Sequence, residues 1–476
     1  MSGFATPLEA HYFLRYSSSA EVGSFLYGLA RAAPTRARVD CIGYSAARRA
    51  IHALVCGRDE RTPKLRVMLV GSQHGASEAA GCEAMLYLAR AVLVGDLQSW
   101  LDEFELVLIP NANPDGRDLD SSRNAHNVNI NRDFVLLSQP ESAALDNALL
   151  RYQPQAVLDA HESASLKRKT LGREGYITDF EAQFDVANTP AIPAANRDYL
   201  VERLLPRLLA AVAAKGLRAQ RYIREITSTT QPITHGGLTI RKFRNKAGLR
   251  GPLTVLLETP MEPKSGTYPS YRNIAVRAEK QFLCQRVFLE CLRAERAALT
   301  KLSTDAAPPT PRQRLALNGN YVQRMPSPTV TIRLRKRTDG EAVPIVFPDH
   351  RAVTMSAYVE MPALYVVVAN APLIAAFLAR HQLRFTATSL SSEQQLMANV
   401  FRPDHALEDG WLLHDQTREV IKVPAGSLLI ATSQPHGALL SLLLDPRSHS
   451  SLFRYPSLAR LIDTERPFFK IGRAHV

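Results

Sequence analysis

The sequence predicts an α/β protein: a largely parallel or mixed β-sheet flanked by helices, followed by a smaller β-rich part. Three observations lead to that class. From about residue 37 to 300, short apolar runs alternate with helical patterns, as successive strand–helix units do. A long amphipathic stretch at 272–302 closes the region. After STDAAPPTPR (303–312), rich in proline and small residues and therefore read as a linker, residues 313–476 are strand-heavy. The expected division is 1–302, a linker at 303–312, and 313–476.

The expected strands of the first part are RVMLVGSQ (66–73), FELVLIPN (104–111), QAVLDA (155–160) and PLTVLLE (252–258). Helix-like stretches, such as 81–94 and 197–215, lie between them. In the second part, GWLLHDQTREVIKVPAGSLLIATSQ (410–434) holds two strand-like runs around PAG. The most apolar window is MPALYVVVANAPLIAAFLAR (361–380), interrupted by Asn370 and Pro372. A strand, a cap and a new helix explain it better than a membrane span. TIRLRKRTDG (331–340), the densest basic run, reads as a solvated strand entering an Asp-Gly turn.

The 476 residues suffice for two domains or one large domain with an appendage. The formal charge of +13 is spread along the chain, which fits a basic, soluble surface. No aromatic platform for bases accompanies the basic run, so no nucleic-acid partner is expected. Five cysteines, an odd number, show neither metal spacing nor a disulfide framework. They suggest reduced thiols and a cytoplasmic location. The first twenty residues lack the pattern of a signal peptide; a start assigned too late would make a periplasmic or secreted protein the alternative. The closing IGRAHV matches the translation of a common sequencing-adapter sequence, so 471–476 are expected to be an assembly artefact.

In an open α/β sheet, ligands bind beyond the carboxyl ends of the strands. His74 follows the first run, Asn113 and Asp115 the second, and His161 the third; Glu258 ends the fourth. Two histidines and two acids, far apart in sequence, thus fall at equivalent strand ends. Zinc suits this set, since it accepts imidazole and carboxylate, and a catalytic site uses three protein ligands plus water. His74, Glu78 and His161 would supply the three for one Zn2+ per chain. Glu258, among apolar residues, could take a proton from water and hand it to a leaving amine, with burial raising its pKa toward neutrality. Taken singly, each reads as an ordinary loop histidine or a paired acid; the joint, ordered pattern is what favours a site. Asn-Pro-Asp-Gly at 113–116 has strong turn chemistry. Asp159 is expected to shape the sheet end, and Glu141 to support the site loop or cap a helix.

The chain resembles the zinc carboxypeptidases of the M14 (carboxypeptidase A-like) family. The resemblance is carried by IGYSAARRAIHAL (42–54), GSQHGASEAAG (71–81), PNANPDGR (110–117), RNAHNVNINRDF (123–134), LDAHES (158–163) and TVLLET (254–259), in the family's order. It implies a three-layer α/β/α sandwich with a mixed sheet, one zinc, a peptide substrate, and hydrolysis of C-terminal peptide bonds by metal- and Glu-promoted water attack. It also implies that Arg123 stabilises the oxyanion and that Asn131 and Arg132 hold the terminal carboxylate. The C-terminal part is more loosely similar to the trailing β-rich region of some bacterial members. Two departures stand out. The family spaces its first two ligands as H-x-x-E, whereas His74-Gly-Ala-Ser-Glu78 is one residue longer, adding up to about 3.3 Å of chain. A bulge at Gly75 can absorb it, with Ser77 capping the next helix; a lost ligand is the competing outcome, and Glu83 is a poor substitute. No tyrosine lies between Tyr222 and Glu258 to serve as the family's mobile tyrosine; His235 is a partial stand-in. Arg241, Lys242, Arg244 and Arg250 either line a pocket, so that the released residue is acidic or the substrate a γ-glutamyl or cell-wall peptide, or point outward and say nothing. Rival functions are a zinc amidohydrolase of the aspartoacylase and succinylglutamate desuccinylase type, acting on N-acyl amino acids, and a catalytically inactive binding protein of the same fold.

Overall fold

The computed structural model describes the chain apart from residues 1–3, 59–62, 165–170, 262–272, 305–311, 389–393, 402–405, 408–409, 412–415, 456–457 and 459–476. Most of the expected linker and the closing six residues therefore lie outside the described residues.

The strands up to residue 261 are β1 (Ala37–Tyr44), β2 (Ala50–Cys56), β3 (Leu65–Val70), β4 (Phe104–Ile109), β5 (Ala156–Ala164), β6 (Tyr176–Thr178), β7 (Ala182–Val186), β8 (Ala219–Arg221) and β9 (Leu253–Met261). All but β6 join one eight-stranded sheet in the order β1-β2-β4-β3-β5-β9-β7-β8. The central β4, β3, β5 and β9 are parallel, while β1, β2 and β7 bring antiparallel pairings. All four apolar runs are thus central parallel strands. Such strands bury both faces, and so read as near-continuous apolar runs.

The helices of this region are α1 (Pro7–Ala10), α2 (Ser19–Ala32), α3 (Ala80–Val94), α4 (Pro114–Asp118), α5 (Pro140–Tyr152), α6 (Ala194–Tyr199), α7 (Leu205–Ala214), α8 (Phe243–Arg250), α9 (Ile274–Ala294) and α10 (Arg296–Thr304). Val67, Leu69, Leu106 and Leu108 pack with side chains of α2, α3, α7 and α9. Met68, Val70, Val107 and Ile109 point the other way, against α5 and α8. Period-two alternation thus builds two cores on one sheet, a three-layer sandwich. Each such side chain, fully buried, contributes about 1.5–3 kcal/mol.

Beyond residue 313 come β10 (Arg314–Val322), β11 (Thr329–Lys336), β12 (Ala342–Pro348) and β13 (Ala352–Glu360). The basic run does form a strand, β11, but one face of it is buried rather than solvated. Ile332 and Leu334 pack against Leu171, Ile223 and Ile226, and Arg333 and Arg335 pair with Asp179. β11 also hydrogen-bonds antiparallel to β6, Leu334 opposite Thr178. A second apolar cluster joins Val135, Ala191 and Ile240 to Leu315, Leu317 and Val359. The β-rich part is therefore stitched to the first part by a strand pairing and by a shared core. In the apolar window, a strand (Leu364–Val367) gives way at Asn370 to α11 (Ala371–Arg380). Among the described residues, no helix is long and apolar enough to cross a membrane, and all five cysteines are free thiols.

Candidate active site

The longer His74–Glu78 interval is absorbed by one turn of 3-10 helix, Gly75–Glu78. Gly75 begins it with φ +51°, and a Cβ there would lie 2.4 Å from the Gly116 carbonyl carbon and from the Ser121 oxygen. Only glycine fits this left-handed, crowded position. The tight turn, entered through the left-handed Gly75, brings Glu78 back to His74, with Glu78 Oε1 2.6 Å from His74 Nδ1. Ser77 does not cap the following helix: α3 has Ala79 at its N-cap position without a side-chain bond, and Glu162 accepts from the Ala80 amide at 2.9 Å instead. Glu162 is buried against Arg277, at 2.7 and 2.8 Å, which ties the start of α3 to β5 and α9. Glu83 is turned away, bound to Ser17 and Arg117.

His161 and Glu258 stand directly opposite each other in the parallel β5–β9 register. Glu78 Oε2 lies 2.7 Å from His161 Nδ1. The other nitrogen of that ring, Nε2, is 2.9 Å from Asp159 Oδ1. Asp159 sits two residues back on the same strand face and accepts from Gln73 Nε2 at 2.5 Å. A carboxylate held against one imidazole nitrogen fixes the ring and directs the other, the arrangement that orients metal-binding histidines. One ligand atom from each of His74, Glu78 and His161 lies within 4.8 Å of the other two. The Nδ1 atoms of His74 and His161 both face the Glu78 carboxylate, at 2.6 and 2.7 Å, so the three donor groups are presented together. Two imidazoles and one carboxylate are a zinc donor set, so these residues fit the metal.

The electrostatics divide two acids. Burial pushes the Glu78 carboxyl up, but the imidazoles of His74 and His161 outweigh it and hold the pKa well below the usual range. His161 is likewise desolvated, yet Asp159 and Glu78 raise it well above an ordinary histidine. Glu258 is pushed up to about 7, by burial first and by the Glu78 charge second. One carboxylate is kept ionised for a cation, and its neighbour is poised to exchange a proton near neutrality.

These groups share a cavity of about 400 Å³ with Asn131, Arg132, Tyr222, Arg224, Lys242 and Arg244. Asn131 is anchored by its Oδ1, which accepts from the Phe243 amide at 2.8 Å. Arg132 donates to the Asn131 carbonyl at 2.7 Å, leaving other guanidinium donors toward the cavity. Two expectations are not met. Arg250 does not line this cavity; it is buried against Asp146 at 2.5 and 3.2 Å. Its position four residues after Lys246 puts both cations on the α8 face toward that acid. Arg123 also lies outside the cavity wall, exposed and donating to the Asn127 carbonyl at 2.8 Å within its own loop. Of the remaining cations, Arg241 stacks over the Tyr455 ring, whereas Lys242 and Arg244 do reach the cavity.

Sequence reasoning passed over Tyr222, Arg224 and the orienting role of Asp159. Tyr222 lines the cavity, its pKa raised by burial and then by Glu258, so its hydroxyl stays a donor. His235 does not line the cavity; its Nδ1 lies 2.6 Å from the Tyr222 carbonyl and so holds that stretch of backbone. The one signal for Tyr222 was that it was the last tyrosine before Glu258. For Asp159, the two-residue spacing to His161 was the clue.

Residues 22–170 match the sequence profile of the zinc carboxypeptidase family, peptidase M14, which meets the resemblance read from the motifs. The chain is 30% identical over 206 residues to "Probable carboxypeptidase 2" of Trichophyton verrucosum, an alignment covering 41% of this chain and 38% of that one. It is 29% identical over 205 residues to "Carboxypeptidase 2" of Trichophyton rubrum, covering 41% and 37%. It thus spans little more than a third of the length of these curated relatives. Carboxypeptidase A of Helicoverpa armigera superposes with a TM-score of 0.45 at 16% identity, covering 59% of this chain and 75% of that one.

Proposed function

We propose that this chain is a zinc-dependent carboxypeptidase that hydrolyses the C-terminal bond of a peptide. The observation that carries the reading is the meeting of His74, Glu78 and His161 within 4.8 Å beside Glu258, in a cavity that also presents Asn131 and Arg132. His74, Glu78 and His161 would hold the zinc, which when bound would supply Lewis-acid chemistry toward water and the scissile carbonyl. Glu258, with a pKa near 7, accepts a proton from the attacking water and passes it to the nitrogen of the leaving residue. Asp159 keeps the His161 ring oriented. Arg132 offers its free guanidinium donors to the terminal carboxylate, a geometry suited to two parallel hydrogen bonds. Tyr222 adds a neutral hydroxyl donor on the cavity wall.

Two measurements test this. Metal analysis of the purified chain should give zinc near one per molecule. N-blocked dipeptides offered beside N-acyl amino acids should be the substrates that are cleaved. Cleavage of N-acyl amino acids alone would make the protein a deacylase, and a metal-free protein cleaving neither would make it a binding module.

A further inference from the structure

The cavity holds more positive charge than one terminal carboxylate uses. Arg132, Arg224 and Lys242 all line it, and none has a carboxylate partner among the described residues. Arg244 lines it too but is committed to Asp185 at 2.9 Å. The acids on the wall are mostly engaged elsewhere: Glu78 lies between two imidazoles, Asp159 on His161 and Glu162 on Arg277, while Glu225 has a partner of its own. Among the charges that bear most on Lys242, the cations Arg244, Arg132 and Arg224 outnumber Glu258. An ammonium half-buried among like charges, with three donors and no bond among the described residues, is costly. A ligand carboxylate would relieve it, and a neutral amide of the same shape would not.

Resting on the carboxypeptidase reading, we propose that the cavity selects a leaving residue whose side chain carries its own carboxylate. Arg132 takes the terminal carboxylate and Lys242, with Arg224 beside it, takes the second. Lys242 is then the specificity-determining residue. Burial, followed by the charges of Arg244 and Arg132, lowers its pKa to about 8, so it remains largely cationic at neutral pH.

The test uses the zinc-loaded full chain and N-blocked dipeptides ending in Glu, Gln, Leu or Lys. The expected kcat/KM for Glu exceeds that for Gln by about tenfold or more, the scale of one charge-assisted hydrogen bond. In K242Q the Glu-to-Gln ratio should fall toward one, and in K242E it should invert. Because each ratio is taken within one variant, a smaller folded fraction does not affect it. Calorimetry on the zinc-free chain supplies a readout apart from turnover: L-glutamate should bind more tightly than L-glutamine, and K242Q should erase the difference. Cleavage of Leu- and Gln-ended peptides with no Glu advantage, or an undiminished preference in K242Q, overturns this inference and leaves the carboxypeptidase reading standing. Cleavage of no dipeptide with zinc bound overturns both.

Discussion

Of the buried clusters of ionisable side chains in this fold, two differ in a way that separates a candidate site from a scaffold. Asp146, Lys246, Arg250 and His381 join α5, α8 and the C-terminal part. Lys246 Nζ lies 2.7 Å from His381 Nδ1, Arg250 binds Asp146, and His381 Nε2 lies 2.9 Å from the Val135 carbonyl. Burial drives Lys246 down to about 7. The cations Lys246 and Arg250 overcome burial to lower Asp146 to about 2. These shifts rival those around Glu258, yet the charges are spent on one another. At the other cluster the donors of His74, Glu78 and His161 converge on a single point, and Glu258 makes no side-chain hydrogen bond among the described residues. A perturbed pKa alone therefore does not mark a reaction centre; what distinguishes the candidate site is that its donors gather at the wall of a cavity.

This contrast can be broken most sharply at Glu258. E258Q should keep zinc near one per chain but lower kcat roughly 10²–10⁴-fold, the usual weight of general acid–base catalysis. Single-turnover assays with metal analysis check both halves, and near-normal turnover would remove Glu258 from the mechanism. At the scaffold cluster the outcome should reverse. D146A strands Lys246 and Arg250 without their shared acid and should cost about 3–5 kcal/mol of stability in urea unfolding, with zinc content unchanged in the folded fraction. D159N weakens the bond that orients His161, and zinc affinity should drop about 10–100-fold in competition with a chelator; an unchanged affinity would make Asp159 a bystander.

The smallest effect is a pH dependence. Lys246 has its folded pKa lowered to about 7 from an ordinary value near 10.4. Between those values the unfolded chain binds the extra proton, so this residue makes stability rise with pH across that window. The rise is fully expressed above the unfolded pKa and absent below the folded one. Unfolding at pH 7 and 8 should show wild type gaining about 1 kcal/mol relative to K246M. Equal slopes would mean that Lys246 stays charged in the folded state.

Much of the sheet was legible because its central strands bury both faces. RVMLV, FELVLI, AVLDA and LTVLL are therefore mostly apolar, and β3, β4, β5 and β9 begin within a residue or so of where those runs begin. Their ends were harder to read: β5 and β9 continue to Ala164 and Met261, through polar residues that serve the site. The β-rich character of 313–476 was also legible, whereas its attachment through β6 was not. Three-residue strands such as Tyr176–Thr178 carry no periodicity of their own, and only their partner defines them.

His74, Glu78, His161 and Glu258 could be named from sequence because imidazole and carboxylate chemistry resides in residue type, and their order at successive strand ends is a one-dimensional fact. Gly75 belongs with them, since only a residue without Cβ tolerates the turn that the longer interval demands. Which cations serve the cavity was settled in three dimensions. Lys242, Lys246 and Arg250 are spaced identically, four apart, yet the first reaches the cavity while the other two turn onto Asp146. Charge is a property of the side chain, but its partner depends on which acid the packing of α5 against α8 brings near, and no local spacing encodes that.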